Sequence, residues 1–301
     1  MRTEIVYEDE AILVVYKPAG LAVQTADVGR QDVVSELKND ICRKEACGAK
    51  DYVSRDKAGK LKYDVCRKEA EERRGRQAMP YLGVIHRLDQ PVEGLLVFAR
   101  NPKAAAGLSA QLQDRDAGFG KHYYAVLYGC PAAGSGRLED DICKRGSRAE
   151  IVESRPGKTG AVARAASGRN GIADNAGGRP AKSKEQPMPG KGNQGGTDAR
   201  RAMLEYRILQ ILDPPGIALA DIRLETGRFH QIRAQMAHGG MPLLGDLKYG
   251  SEASMEAGRR LNVRNAALCA YRLEFVHPIT GKKMDFQVKP RGAVFSLFSQ
   301  F

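Results

Sequence analysis

The chain has 301 residues and a mass of 32.8 kDa, enough for one large domain or two ordinary ones with a full core. Hydrophobic residues make up 42% and charged residues 28%, which excludes wholesale disorder, and apolar runs such as Ala11–Tyr16 and Gly94–Ala99 fall far short of the ~20 residues that cross a bilayer. Lys and Arg number 48 against 36 Asp and Glu, a net charge of +12, which favours a polyanionic partner, nucleic acid before membrane.

The charge is segmental. Residues 43–77 hold 12 basic and 7 acidic residues, and residues 155–201 hold 10 basic and 3 acidic, so these two stretches carry the whole excess. The opening MRTEIVYEDE is acidic and lacks an apolar h-region, so no secretory signal is read and a soluble cytoplasmic protein is expected. The six cysteines are scattered without a CxxC pair, which predicts reduced thiols rather than a disulfide framework or a zinc site.

In chain order, EIVYEDEAILVVYK (Glu4–Lys17) reads as two short strands around an acidic turn, stopped by Lys17-Pro18-Ala19-Gly20. Asp32 caps a helix with Val33, Val34, Leu37 and Ile41 on one face. The string CRKEA then occurs at Cys42–Ala46 and again at Cys66–Ala70, too few copies for a repeat array. Tyr81–Leu88 and Gly94–Ala99 read as buried strands joined by a loop over His86–Gly94. Asn101 caps a helix with Pro102 at its first position and Ala105, Leu108 and Leu112 on its buried side, and His122–Leu127 is a further strand. Between Arg155 and Arg201 stand ten Gly, four Pro and no aromatic residue, so burial cannot offset the ordering entropy and a disordered basic loop is expected. Gly190, Gly192 and Gly195 match a dinucleotide-binding pattern, but no strand precedes them and no apolar helix follows, so the match fails. Met203–Leu212 and Ala218–Leu224 are strands, Thr226 and Gly227 open a helix over His230–His238, and Ala270–Val276 with Lys283–Val288 form a final hairpin.

Three places have residues suited to chemistry. Asp89 lies just past a buried strand, in a loop fixed by Pro91 and Gly94. A carboxylate acting there as a nucleophile needs a nearby cation, and Arg87 and Arg233 are available; a turn aspartate paired with a surface arginine is the other reading. Arg228 and His230 stand at a helix N-terminus suited to phosphate, with Arg233 one turn in, or else they belong to a solvated helical face with a capping histidine. Lys121 and Tyr123 alternate on one strand face, where a tyrosine either stacks on an extruded base or packs in the core. No His and carboxylate pair has metal-ligand spacing, and no GxSxG context is present.

Three ordered strings, HRLDQPVEGLLVFAR, KHYYAVLYG and RLETGRFHQIRAQMAHGGMPLLGDLKYG, resemble the core motifs of the RluA-type pseudouridine synthases. IVYEDEAILVVYKPAGLAV and AYRLEFVHPITGKKMDF are similar to that family's entry and exit segments. The resemblance implies an α+β pseudouridine synthase fold: a single catalytic domain over residues 1–301, built on a long mixed, mainly antiparallel sheet with flanking helices and a central cleft. Residues 43–77 and 155–201 would be basic insertions, and no S4 domain is expected. It implies isomerisation of uridine in structured RNA, ribosomal or transfer, by a monomer that needs no cofactor or metal. Asp89 would be the nucleophile, Tyr123 would stack on the uracil, and Arg233 would pair with Asp89 and keep it ionised. Arg87 would help displace the base, Lys121 would close the pocket, and His86, Arg228 and His230 would bind substrate. The chain departs from the pattern at Val92-Glu93, where the family has Thr-Ser, and at Phe229, where it has Thr; Glu93 is expected to place a negative charge near Asp89 or on the RNA-facing rim. Two other classes fit parts of the sequence. One is an RNA-binding protein that has lost catalysis, and the other is a nuclease or base-excising glycosidase with Glu93 as its second acid.

Overall fold

The alternating and continuous apolar runs become strands of a single sheet of 11 strands in the computed structural model, which describes residues 1–27, 29–51, 79–114, 117–129, 134–152 and 198–301, and the side chains of these except 46–51. The strands are β1 (Glu4–Glu8), β2 (Ile12–Lys17), β3 (Gly83–Val84), β4 (Glu93–Ala99), β5 (Gly120–Tyr128), β6 (Ser135–Arg145), β7 (Arg148–Val152), β8 (Arg200–Leu212), β9 (Ile217–Leu224), β10 (Leu268–Val276) and β11 (Lys283–Gln287). Their order is β1-β2-β4-β10-β5-β9-β8-β6-β7, with β3 added on β4 and β11 on β10. Every pairing is antiparallel except β4 with β10. Helices α1 (Val33–Asp51), α2 (Pro102–Gln113), α3 (Gln231–His238) and α4 (Glu252–Arg260) flank it. No helix among the described residues is long and apolar enough to cross a membrane.

Strands β2 and β4 are buried along their whole length because both faces of the sheet are covered there. Leu13, Val15, Leu96 and Phe98 point to one face and meet Val33 and Leu37 of α1 and Ile232 and Met236 of α3. Their neighbours Ile12, Val14, Leu95 and Val97 point to the other face and meet Ala104 and Leu108 of α2. Both sequence-predicted caps form: Asp32 accepts the Ser35 N–H at 2.7 Å and Asn101 accepts the Ala104 N–H at 2.8 Å. In α2 the buried residues are Ala104 and Leu108, while Ala105 is only half-buried and Leu112 faces the cleft described below.

Several expectations change. Only Gly83–Val84 of the strand expected over Tyr81–Leu88 pairs with β4, and His86 to Leu88 run outside the ladder, so that they reach the cleft. Helix α3 begins at Gln231, with His230 at its N-cap in the left-handed conformation (φ 52°), while Thr226 and Gly227 lie before it. The Thr226 hydroxyl and the Arg228 N–H instead meet the Gln231 side chain at 2.8 and 2.9 Å. The insertion expected over 155–201 ends earlier, because Arg200 and Arg201 are in β8 and pair with Ile142 and Asp141 of β6. At the other insertion, α1 continues to Asp51; most of both insertions, including the second CRKEA copy, lies outside the described residues.

The parallel contact of β4 with β10 is short, pairing Glu93 with Cys269 and Gly94 with Ala270, after which β11 takes over that edge of β10. Gly94 has φ 123°, and a Cβ there would sit 2.4 Å from the Ala270 carbonyl oxygen. Backbone conformation and space both demand glycine at the point where the chain leaves the Asp89 loop and enters the sheet. Gly94→Ala is therefore expected to lose about 3 kcal/mol or more of unfolding free energy, measured by chemical denaturation. A loss below about 1 kcal/mol would contradict the close approach.

Candidate active site

A cleft of about 670 Å3 opens over the middle of the sheet. Its walls are the β3–β4 connection and the β9–α3 connection, and its floor includes Lys121 and Tyr123 of β5 and Leu268 of β10. That volume suits a ligand of nucleotide size. All the sequence-predicted residues line it: His86, Arg87, Asp89, Lys121, Tyr123, Arg228, His230 and Arg233.

Asp89 sits at a turn closed by the Val92 N–H, which donates to the Asp89 carbonyl at 3.1 Å. Lys17, fully buried at the end of β2, supports this turn. Its ammonium donates to the carbonyls of Leu21, Pro18 and Gln90 at 2.8, 3.0 and 3.1 Å. Burial pulls the Lys17 pKa down to about 7, against the opposing pull of the Asp89 and Glu93 charges. The Gly20 N–H donates to the same Gln90 carbonyl at 2.8 Å, so the Lys17–Gly20 turn grips the residue next to Asp89.

From the other side comes Arg233, only 4% exposed. Its Nε and Nη2 each donate to Asp246 at 2.7 Å, a two-pronged contact, and its Nη1 donates to Asp89 Oδ2 at 3.0 Å. Asp246 is buried and also accepts the Lys248 and Tyr249 N–H groups at 2.9 and 3.1 Å. Burial pushes the Asp246 carboxyl up, but Arg233 and the two N–H groups outweigh this and hold it below the usual carboxylate range. The guanidinium also lies 5.1 Å from the Tyr249 ring centroid.

His230 Nε2 stands 3.7 Å from Asp89 Oδ2, and its Nδ1 is 2.8 Å from the Tyr249 hydroxyl. Burial lowers the His230 pKa to about 4, so a neutral ring borders the carboxylate at pH 7. His86 is also neutral: burial pushes its pKa to about 3, and its Nε2 accepts the Val97 N–H at 3.2 Å. Tyr123 is 6% exposed, and burial followed by the Asp89 charge pushes its pKa up, so the hydroxyl keeps its proton. Burial and then Arg228 lower Lys121 to about 8. Arg87 is exposed at the mouth and donates to Gln24 Oε1 at 3.1 Å, while Arg228 Nε donates to the Arg201 carbonyl at 3.0 Å.

The expectation for Glu93 is overturned. Strand alternation turns Val92 into the cleft and Glu93 away from it. Glu93 is 5% exposed, accepts the Tyr16 hydroxyl at 2.5 Å and the Arg291 and Gly292 N–H groups at 3.1 and 3.0 Å, and so ties the C-terminal segment to the sheet. Sequence reasoning also missed Asp246, Lys17 and Tyr249. Each stood inside a quoted string, but nothing in its local pattern marks a partner far away in the chain.

The sequence profile of a family described as RNA pseudouridylate synthase matches residues 11–238. Ribosomal large subunit pseudouridine synthase D of Zymomonas mobilis is 32% identical over 288 residues, covering 95% of this chain and 68% of that protein. The protein of the same name from Pseudomonas aeruginosa is 31% identical over 292 residues, covering 94% and 67%. RNA pseudouridine synthase 2, chloroplastic, of Arabidopsis thaliana is 31% identical, covering 95% and 62%, so the chain spans about two thirds of the length of these relatives. Among solved structures, human RNA Pseudouridylate Synthase Domain Containing 4 is similar in fold with a TM-score of 0.58 at 19% identity, covering 98% of this chain and 91% of that one.

Arg233 carries two carboxylates, one of them inaccessible to water, and this sets a pH signature. In the intact chain the Asp246 pKa is lowered, so its contribution to stability is present above the unfolded carboxylate range and is lost as pH falls through the folded value. In Arg233→Leu only the Lys248 and Tyr249 N–H groups still oppose burial, the largest of these effects, so the Asp246 pKa is expected to rise above the unfolded value and the sign to reverse. The variant should lose on the order of 3–5 kcal/mol at pH 7 and regain part of it on acidification toward pH ~5. Thermal melts from pH 4 to 8 test this; a variant whose melting temperature falls on acidification in parallel with the wild type would contradict it.

Proposed function

The chain belongs to the RNA pseudouridylate synthase family, a family of isomerases, and we propose that it converts uridine in RNA to pseudouridine with Asp89 as the reacting carboxylate. The C1′–N1 bond breaks, the uracil turns, and C5 bonds to C1′; C5 gives up its hydrogen and N1 takes a proton. Nothing is oxidised or hydrolysed, so residues alone can carry the chemistry. Attack at C1′, proton removal from C2′ and addition at C6 all ask for an unprotonated oxygen facing the ribose–uracil link.

The observation that carries this reading is the Asp246–Arg233–Asp89 chain opening into the cleft beside Tyr123. Arg233 and His230 both approach Asp89 at Oδ2, and among the described residues no hydrogen bond falls on Oδ1. One oxygen is thus held and the other is left to the substrate. Tyr123, protonated and bordering Asp89, stacks on the uracil in this reading. Exposed Arg87 enters the space the base vacates, Lys121 and Arg228 hold phosphate, and the neutral His86 and His230 line the site. Hydrolysis would require a protonated second acid, whereas Asp246 is ionised and locked to Arg233 and Glu93 faces away. The turned-away Glu93 also removes the motive for reading the chain as an RNA-binding protein without catalysis. We take ribosomal RNA as the substrate class, because two of the relatives bear the large ribosomal subunit in their names.

Ribosomal RNA transcribed with uridine tritiated at C5 should release tritium to water when treated with the protein. Asp89→Asn should lower the rate by about 10³-fold or more, as loss of a reacting group does, while leaving RNA binding within a few-fold. Release of free uracil, or undiminished tritium release by Asp89→Asn, would overturn the reading.

A further inference from the structure

Phe229 departs from the family string and is 39% exposed, a large aromatic ring set at the cleft wall. It is not loosely placed. Its ring lies flat on the neutral His230 imidazole, with centroids 3.7 Å apart and planes 20° from parallel. His230 is braced edge-on by Tyr249 at 5.6 Å, and the Tyr249 hydroxyl accepts the Ala149 N–H at 2.7 Å. One face of Phe229 is therefore backed by a rigid stack that ends in the β6–β7 hairpin.

The other face looks outward under a cation: Lys144 Nζ is 4.8 Å from the ring centroid. Lys144, Arg145 and Arg148 are exposed around the hairpin tip, and Lys248 fastens that tip by donating to the Ser147 carbonyl at 2.6 Å. A flat hydrophobic ring bordered by exposed positive side chains matches a nucleotide: the base covers the ring, and the cation moves to the phosphate. A protein partner would call for a broader apolar patch than this one ring among cations provides. The distance from Phe229 to Asp89 is bridged by His230, which touches both, so the platform lies one residue away from the reacting group.

We propose that Phe229 is a stacking platform for the base of a nucleotide flanking the target uridine, with Lys144 and Arg148 taking its phosphate. This rests on the reading of the cleft as an RNA uridine site. The platform contributes binding rather than chemistry, so it acts on KM and on sequence context and leaves kcat nearly unchanged.

The chain contains no tryptophan, so Phe229→Trp carries a single tryptophan at the platform, excited selectively at about 295 nm apart from the 11 tyrosines. Wild type, Phe229→Trp and Phe229→Ala are compared on C5-tritiated ribosomal RNA, and Trp emission is followed as the same RNA is added to Phe229→Trp. The expected result is quenching of that emission on binding, with KM near wild type in Phe229→Trp. Phe229→Ala should raise KM roughly 10-fold or more, in line with loss of one base–aromatic stack, with kcat within about 3-fold. Lys144→Ala should raise KM at low salt and converge on wild type as salt increases. Tritium release and RNA binding with unchanged Trp emission, or an unchanged KM in Phe229→Ala, would overturn the platform alone. Failure of the wild type to release tritium would overturn the uridine reading and the platform with it.

Discussion

A guanidinium shared between two carboxylates governs this site. Arg233 faces Asp246 with two nitrogens and Asp89 with the third, and neither it nor Asp246 has meaningful access to water. Taking these two charges out of solvent is costly, and it is tolerated because each finds fixed partners of opposite sign or backbone N–H groups. Asp246 does no work facing the cleft. Its service is to fix the rotation of the guanidinium so that the remaining nitrogen points at Asp89 from one direction. Lysine in place of Arg233 would give one point charge and lose that division of labour.

The second half of the constraint comes from the opposite end of the chain. Lys17 satisfies three carbonyls around the Asp89 turn, and Gly94 lets the chain pass within contact distance of β10 immediately afterwards. The Asp89 loop is thus held at residue 90 from beneath, at residue 94 by the sheet, and at the Asp89 carboxylate by Arg233. Little reorganisation remains for a substrate to drive, which is the condition under which fixed dipoles and charges act most strongly on a reaction. The outer wall is built differently. Phe229, Lys144 and Arg148 are exposed, and no such network of buried charges among the described residues fixes them.

Much of this was legible in the sequence. The apolar runs at Ala11–Tyr16 and Gly94–Ala99 announced the inner strands, Asp32 and Asn101 announced their helices, and motif order brought Asp89, Tyr123 and Arg233 to one place. What stayed hidden has physical causes. Hairpin β6–β7 sets a few scattered apolar residues, such as Leu138, Ile142 and Cys143 in β6 and Ala149 and Ile151 in β7, among charged ones at the sheet edge, so its apolar pattern is too short and broken to mark two strands. Helix α4 is nine residues long with few apolar side chains, and only its Ser251 cap is a local sign. Asp246 meets Arg233 13 residues away and Lys17 meets the Gln90 carbonyl 73 residues away, and a lone polar residue looks the same in sequence whether it ends in solvent or beneath the Asp89 loop. Glu93 misled for the same reason: one step of strand alternation decided whether its charge met Asp89 or the C-terminal segment.

Asp246 reaches Asp89 through Arg233, which binds both carboxylates. Asp246→Asn keeps the shape of the side chain and removes the charge that sets the guanidinium. Single-turnover rates of tritium release, measured with RNA affinity in parallel, test it most directly. The expected rate is about 10- to 100-fold lower with affinity unchanged, the scale on which a reacting group displaced by an ångström fails. A full rate in a folded Asp246→Asn protein, or a loss entirely in RNA affinity, would contradict it.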